Sequence, residues 1–474
     1  MKKLLIAAMI ILIFAKNELY GQELSTSILY STYYGNIGTD DADVVTVDSI
    51  GNTYLGCHSN STNLLGANQY PYTLSGGMDA FVVKLNNKGT EVTYLTKLGG
   101  SKWDAIQGLT TDSKGNIYAV GTTYSSDFPI NSNGFQSNFG GKSDAFVVKI
   151  NPEGKVVWST FLGGSEDEDG RDIAIDQHGN VYIVGRTESN NFPTSDGALQ
   201  LRLAGGIDAF VTVLDSDGKM LTSTYLGGSG DDIGFSIKLD SIGQLYIAGT
   251  TNSFNFPIKN AIQEENNGED DVFLAVIDET RLVISFASYL GGKGTDKLYS
   301  IDLNSTGDVF ILGVTSSSNY PTTTSAFQTN FGGERDAFVT RLNLQKREIV
   351  YSTYLGGEKA DNPRNLVVDE KDNAFVVGYT ASKNFPTVNN QETKLRGRDD
   401  AFVTMLDPSG SFLKYSTLFG GEGRDIFEGL AIGADGSLTV SGASNSIDFP
   451  IVNPLQDTFL GGRFDMIVAR LLID

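Results

Sequence analysis

One six-residue segment returns seven times along the chain with little change. It reads Tyr30-Ser-Thr-Tyr-Tyr-Gly35 in the first copy, Trp158-Ser-Thr-Phe-Leu-Gly163 in the third and Tyr351-Ser-Thr-Tyr-Leu-Gly356 in the sixth. Successive copies begin 64, 64, 64, 64, 65 and 64 residues apart. A chain of 474 residues would ordinarily suggest several domains. Spacing this regular instead implies duplicated units, each burying its apolar face against the next.

Each unit holds four strand-like stretches. In the third, Asp172-Ile-Ala-Ile-Asp176 is followed by the turn Gln177-His-Gly-Asn180 and by Val181-Tyr-Ile-Val-Gly-Arg-Thr187. A long loop leads to Asp208-Ala-Phe-Val-Thr-Val-Leu214, the turn Asp215-Ser-Asp-Gly218, and a last stretch from Lys219 to Leu226. The strands are rich in β-branched and aromatic residues. In each turn an Asp or Asn folds its side chain onto the backbone and a Gly three residues on supplies positive φ, as at Asp48/Gly51 and Asp176/Gly179. Asp369 has Asp372 in the Gly slot, and Gly433/Gly436 lacks the Asp. These residues are structural.

Four antiparallel strands per unit, seven units and no helical period predict an all-β chain forming a single seven-bladed β-propeller. The first strand, 27–35, has the sequence of an outermost strand, and the chain ends on a third strand, 465–473. The seventh unit lacks its own fourth strand, so the N-terminal strand is expected to close the ring and remove an open edge.

The units resemble the bacterial SBBP-type β-propeller repeat. The resemblance rests on Phe128-Pro129, Gly134-Phe-Gln136, Phe139-Gly-Gly141 and Asp144-Ala-Phe-Val-Val-Lys149, and on their counterparts Tyr320-Pro321, Ala326-Phe-Gln328, Phe331-Gly-Gly333 and Asp336-Ala-Phe-Val339. Departures are local: Tyr70-Pro71 is shifted, and Asp271-Val-Phe-Leu274 lacks the preceding Gly pair. The resemblance implies an exported or surface-associated bacterial propeller and supplies no catalytic residues.

Residues 1–22 read as a secretory signal, with Lys2 and Lys3 before an apolar stretch from Leu4 to Ala15 and cleavage near Gly21 or Gln22. The propeller is expected to occupy residues 23–474, with seven repeats of about 64 residues. No second long apolar run follows and no cysteine stands directly after the cleavage site, so neither a membrane span nor a lipid anchor is expected. The destination is periplasm, cell surface or exterior, and the protein is expected to be monomeric. Cys57 is the only cysteine and falls where other copies carry Gly121, Gly185 or Gly249, so it reads as a small buried thiol. A net charge of −22 argues against nucleic acid and anionic lipid partners.

Strand alternation puts the tight turns on one face and loops such as Thr187–Gly206 on the other. Long loops usually carry binding residues. Within them Phe-Pro or Tyr-Pro recurs from Phe128-Pro129 to Phe449-Pro450, either as plugs or as sugar-stacking rings. An acidic residue recurs before each innermost strand, at Asp40, Asp104, Glu168, Asp232, Asp296, Asp361 and Asp425. These acids either cap their own loops or ring the channel mouth as a binding site, where calcium would suit all-oxygen ligands. With only His58 and His178, histidine-based triads and His-rich zinc sites are poorly supplied. The expected function is a binding or interaction scaffold for a protein or glycan through the long-loop face. A carboxylate-dependent hydrolase or lyase and a purely structural envelope component are the alternatives.

Overall fold

The structure, a computed structural model, describes residues 26–66, 71–131, 134–278, 282–388 and 394–473. The signal reading at 1–22 lies outside the described residues. Those residues form twenty-eight strands and no helix, so no helix is long and apolar enough to cross a membrane.

The third unit shows how the local sequence builds a sheet. Strands Glu168–Ile175, Val181–Thr187, Asp208–Leu214 and Met220–Leu226 pair antiparallel in chain order. The first turn forms because Asp176 Oδ1 accepts the amides of His178 (2.8 Å) and Asn180 (2.9 Å). Gly179 sits at φ 82°, where a side chain would be strained. In the sixth unit Asp372 occupies that slot at φ 62°, a conformation Asp tolerates better than most residues.

Five such four-stranded sheets stand separately, and a sixth assembly has eight strands. In the eight-stranded sheet, a short parallel bridge of Gly38 with Gly462 and Thr39 with Phe464 joins two four-strand groups. One group spans 38–98. The other contains Asp425–Ile432, Leu438–Ser444, Gly462–Ile473 and the first strand, Thr26–Tyr34. That first strand pairs antiparallel with the last, from Thr26 opposite Ile473 to Tyr34 opposite Met466.

Apolar cores lie between successive groups. Tyr182, Val184, Val211 and Val213 pack on Ile237, Ile247, Phe273 and Tyr289, for example. The same kind of core joins the last group to the first, where Tyr30, Tyr34, Met466 and Val468 meet Val45, Leu55, Phe81 and Val83. Most strands are therefore covered on both faces, which explains their near-continuous apolar sequence.

The recurrent loop aromatics are part of this packing. Phe128, Phe192, Phe256, Tyr320 and Phe385 are buried and lie 4.2 to 4.6 Å, centroid to centroid, from Phe146, Phe210, Phe273, Phe338 and Phe402. They plug the loops onto the sheets, and a sugar could not reach their faces. Trp158 is likewise buried, its Nε1 donating to Ser216 O at 3.0 Å.

Cys57 is fully buried, its Sγ 3.5 Å from Phe81 O. The glycine it replaces elsewhere leaves no space: a Cβ on Gly185 would lie 2.0 Å from Asp169 O. The first unit accommodates the thiol by dropping a ladder pair. Its register passes from Asp41 opposite His58 straight to Val44 opposite Gly56.

Candidate functional site

Seven innermost strands begin at Gly38, Asp104, Glu168, Asp232, Asp296, Asp361 and Asp425. The recurring acids stand at or near these starts, and Asp40, Asp104, Glu168, Asp232, Asp296, Asp361 and Asp425 are all fully buried. Each accepts the backbone N–H four residues earlier, at 2.6 to 2.9 Å. Six also accept the hydroxyl of a serine 21 residues later, as Asp232 does from Ser253 at 2.7 Å. Glu168 takes Thr187 Oγ1 at 2.6 Å. The acids are thus held in seven separate loops rather than gathered into one site.

A second carboxylate stands beside each of them, at the start of the neighbouring third strand or, for Asp40, at Asp465 within the strand Gly462–Ile473. Asp208 and Asp232 flank Gly227 so closely that a Cβ there would lie 2.7 Å from one and 2.8 Å from the other. This close approach explains the recurring glycine. Burial, and then the charge of Asp232, push Asp208 up to about 6. Burial and Glu168 likewise push Asp144 up to about 7.

Three residues beyond each acid the innermost strand slips its register. The slip falls between Ile106 and Gly108, Gly170 and Asp172, Gly234 and Ser236, Leu298 and Ser300, Pro363 and Asn365, and Phe427 and Gly429. In the first unit it is wider, from Asp41 to Val44. A β-bulge re-aims the side chain of its extra residue. Those residues are Asp43, Gln107, Arg171, Phe235, Tyr299, Arg364 and Glu428, and all seven line one cavity of about 630 Å³ bounded by all seven innermost strands.

The ring is not uniform, since acids, cations, aromatics and an amide all occur in it. Carboxylates Asp43 and Glu428 come from adjoining strands. Arg171 lies 5.3 Å over the Phe235 ring and bonds Asp169 at 2.9 Å. Arg364 lies 5.2 Å over Tyr299 and 5.3 Å over Tyr379, with Nε 2.8 Å from Glu428 Oε2. Lys238 also lines the cavity, and although burial opposes its charge, Asp302 and Asp172 raise its pKa. Burial lowers the affinity of His58 for a proton, but Asp43, 2.6 Å away, and Asp41 carry its pKa up to about 9. Asp41 and Glu428 are themselves raised, chiefly by burial.

This ring escaped the sequence reading, which followed positions that repeat. The available signal was the opposite one: a position that never settles, three residues after an acid that always does.

A larger cavity, about 850 Å³, opens among tight turns of three successive units, lined by Asp112, Asp176, Asp240, Lys149 and His178. Its acids are the recurring turn openers, engaged by their own turns as Asp176 is by Asn180. It offers less individuality than the ring.

Comparison with known proteins finds distant likenesses and one repeat family. The regulatory protein FlaEY of Caulobacter vibrioides is 24% identical over 336 residues, 65% of this chain. The matched region is 33% of that protein, so this chain spans about a third of its length. A protein of unknown function from Dyadobacter fermentans aligns over 95% of this chain and 99% of its own, at 11% identity and TM-score 0.42. An ulvan lyase, a polysaccharide lyase solved with bound saccharide, aligns over 88% of this chain and 94% of its own, at 10% identity and TM-score 0.49. The β-propeller repeat family SBBP matches at three places, residues 92–129, 157–193 and 350–386, and the chain is a carrier of that repeat.

Proposed function

We propose that the protein is an exported binding scaffold that receives a protein or glycan ligand at the long-loop mouth of its central channel. On this reading it is a seven-bladed ring, closed by the strand Thr26–Tyr34. The pairing of that strand with Gly462–Ile473 and the core between the last and first groups support closure. The basic and apolar leader at 1–22 supports export.

One observation carries the functional reading. Residues that maintain the fold recur from unit to unit, whereas the seven bulged positions hold seven side chains chosen separately. Cations and aromatics from Arg171 to Arg364 face carboxylates at Glu428 and Asp43, so the mouth has a polarity that a symmetric spacer would not need. A ligand with an anionic group and an apolar face would fit the cationic and aromatic arc.

The mature chain, from residue 23, should be applied to glycan and peptide arrays. The expected result is a chemically related set of hits that compete with one another. Silence on both arrays would favour the structural envelope role.

A further inference from the structure

We propose that Asp41, Asp43 and His58 hold one zinc-class divalent cation at the rim of the channel. This inference goes beyond the scaffold reading and does not depend on it. One atom from each residue lies within 4.8 Å of the other two. Two carboxylates and an imidazole are a donor set suited to zinc, and three protein ligands leave a fourth position open. Asp43 lines the channel, so that open position would face the cavity.

The third unit shows what this site lacks. Its corresponding residues are Asp169, Arg171 and Arg186, and the buried carboxylate is clasped by both guanidiniums, at 2.9 and 2.5 Å. Burial opposes the charge of Asp169, but the two arginines together hold its pKa below the usual value. In the first unit the same position is Asp41, and the two arginines are replaced by Asp43 and His58. The guanidinium of Arg364, from another innermost strand, is ion-paired with Glu428. Asp41 Oδ1 is shut off from solvent and accepts no hydrogen bond. A carboxylate oxygen shut off from solvent and without a hydrogen-bond donor is costly, and a metal ion would satisfy it. The wider bulge, which skips the pair Ala42 and Cys57, separates the strands at this point.

Only two histidines exist, and His178 lies in a tight turn on the opposite face, which gives an internal control. The full mature chain, stripped with chelator, should bind one equivalent of Zn²⁺ in calorimetry. With labelled histidine, Co²⁺ should shift the imidazole signals of His58 and leave those of His178 in place. Asp41→Asn should weaken Zn²⁺ binding by at least about tenfold. The proposal is overturned if the unmodified chain binds no zinc, if cobalt shifts both histidines alike, or if folded Asp41→Asn binds as before. Should that variant fail to fold, the cobalt experiment on the unmodified chain decides alone.

Discussion

Arg364 on one innermost strand reaches Glu428 on the next, Nε to Oε2 at 2.8 Å, while its planar face lies over Tyr299. Their side chains keep only 26% and 20% of their surface. The pair lies between surface bridges, which contribute little, and fully buried ones, whose disruption costs several kcal/mol. Glu428→Gln should therefore destabilise the fold by about 2 kcal/mol. In a double-mutant cycle with Arg364→Met, the two changes together should cost less than their sum by at least about 0.5 kcal/mol in denaturant unfolding. Additive costs would mean that the pair is not coupled.

Removing residues 26–36 should be close to lethal for the fold. Tyr30, Tyr33 and Tyr34 on that strand are essentially unexposed. Each buried aromatic contributes about 1.5–3 kcal/mol, and each lost strand hydrogen bond about 1 kcal/mol. Together these rival the whole stability of an ordinary domain. A chain starting at residue 37 should melt far earlier or aggregate through the bared edge of Gly462–Ile473. Melting like that of the full mature chain would contradict closure by this strand.

Acid should stabilise this protein down to about pH 4. Asp104, Asp208, Asp271, Asp336, Asp361 and Asp465 are pushed up to about 6 and Asp144 to about 7, chiefly by burial. A carboxyl whose folded pKa is raised binds its proton more tightly when folded. Its contribution is complete below the unfolded value and is lost as pH rises through the folded one. His58, raised to about 9, acts in the same direction. Asp48, Asp112, Asp169 and Asp435 are lowered, and their contribution fades only in stronger acid. The melting temperature should be higher at pH 5 than at pH 8, and the reverse order would contradict the paired-carboxyl account.

Cys57 should be inert in the native protein. It is fully buried, and burial pushes its thiol pKa up, with Asp43 and Asp40 adding to the effect. A thiol reagent should label it quickly only after denaturation, because the thiolate is the reactive form. Fast labelling of the native chain would show that the first unit opens readily.

The strands and turns were legible because every unit restates them. Asp176 and Gly179 announce the same turn that Asp48 and Gly51 do. The direction of the recurring acids was harder to read. Whether Asp232 turns toward its loop or the channel depends on Ser253, 21 residues away, and that partner recurs too, as Ser125 and Ser317 do. The bulged ring was not legible at all. A bulge is a property of pairing between two strands, and neither strand alone marks Arg171 or Glu428 as the extra residue. The dropped pair at Cys57 has the same character, since it follows from how near the partner strand's backbone would otherwise come, as Asp169 O does to Gly185.

The most direct test is the affinity of the best array ligand for variants of the two faces. Phe235→Ala and Tyr299→Ala alter the channel ring, whereas Lys114→Ala and His178→Ala alter the tight-turn cavity. With folding verified for each, the ring variants should bind at least about tenfold more weakly, a loss of about 1.4 kcal/mol, and the turn variants should bind like the parent. Undiminished binding by the ring variants, or loss confined to the turn variants, would contradict the assignment of function to the channel mouth.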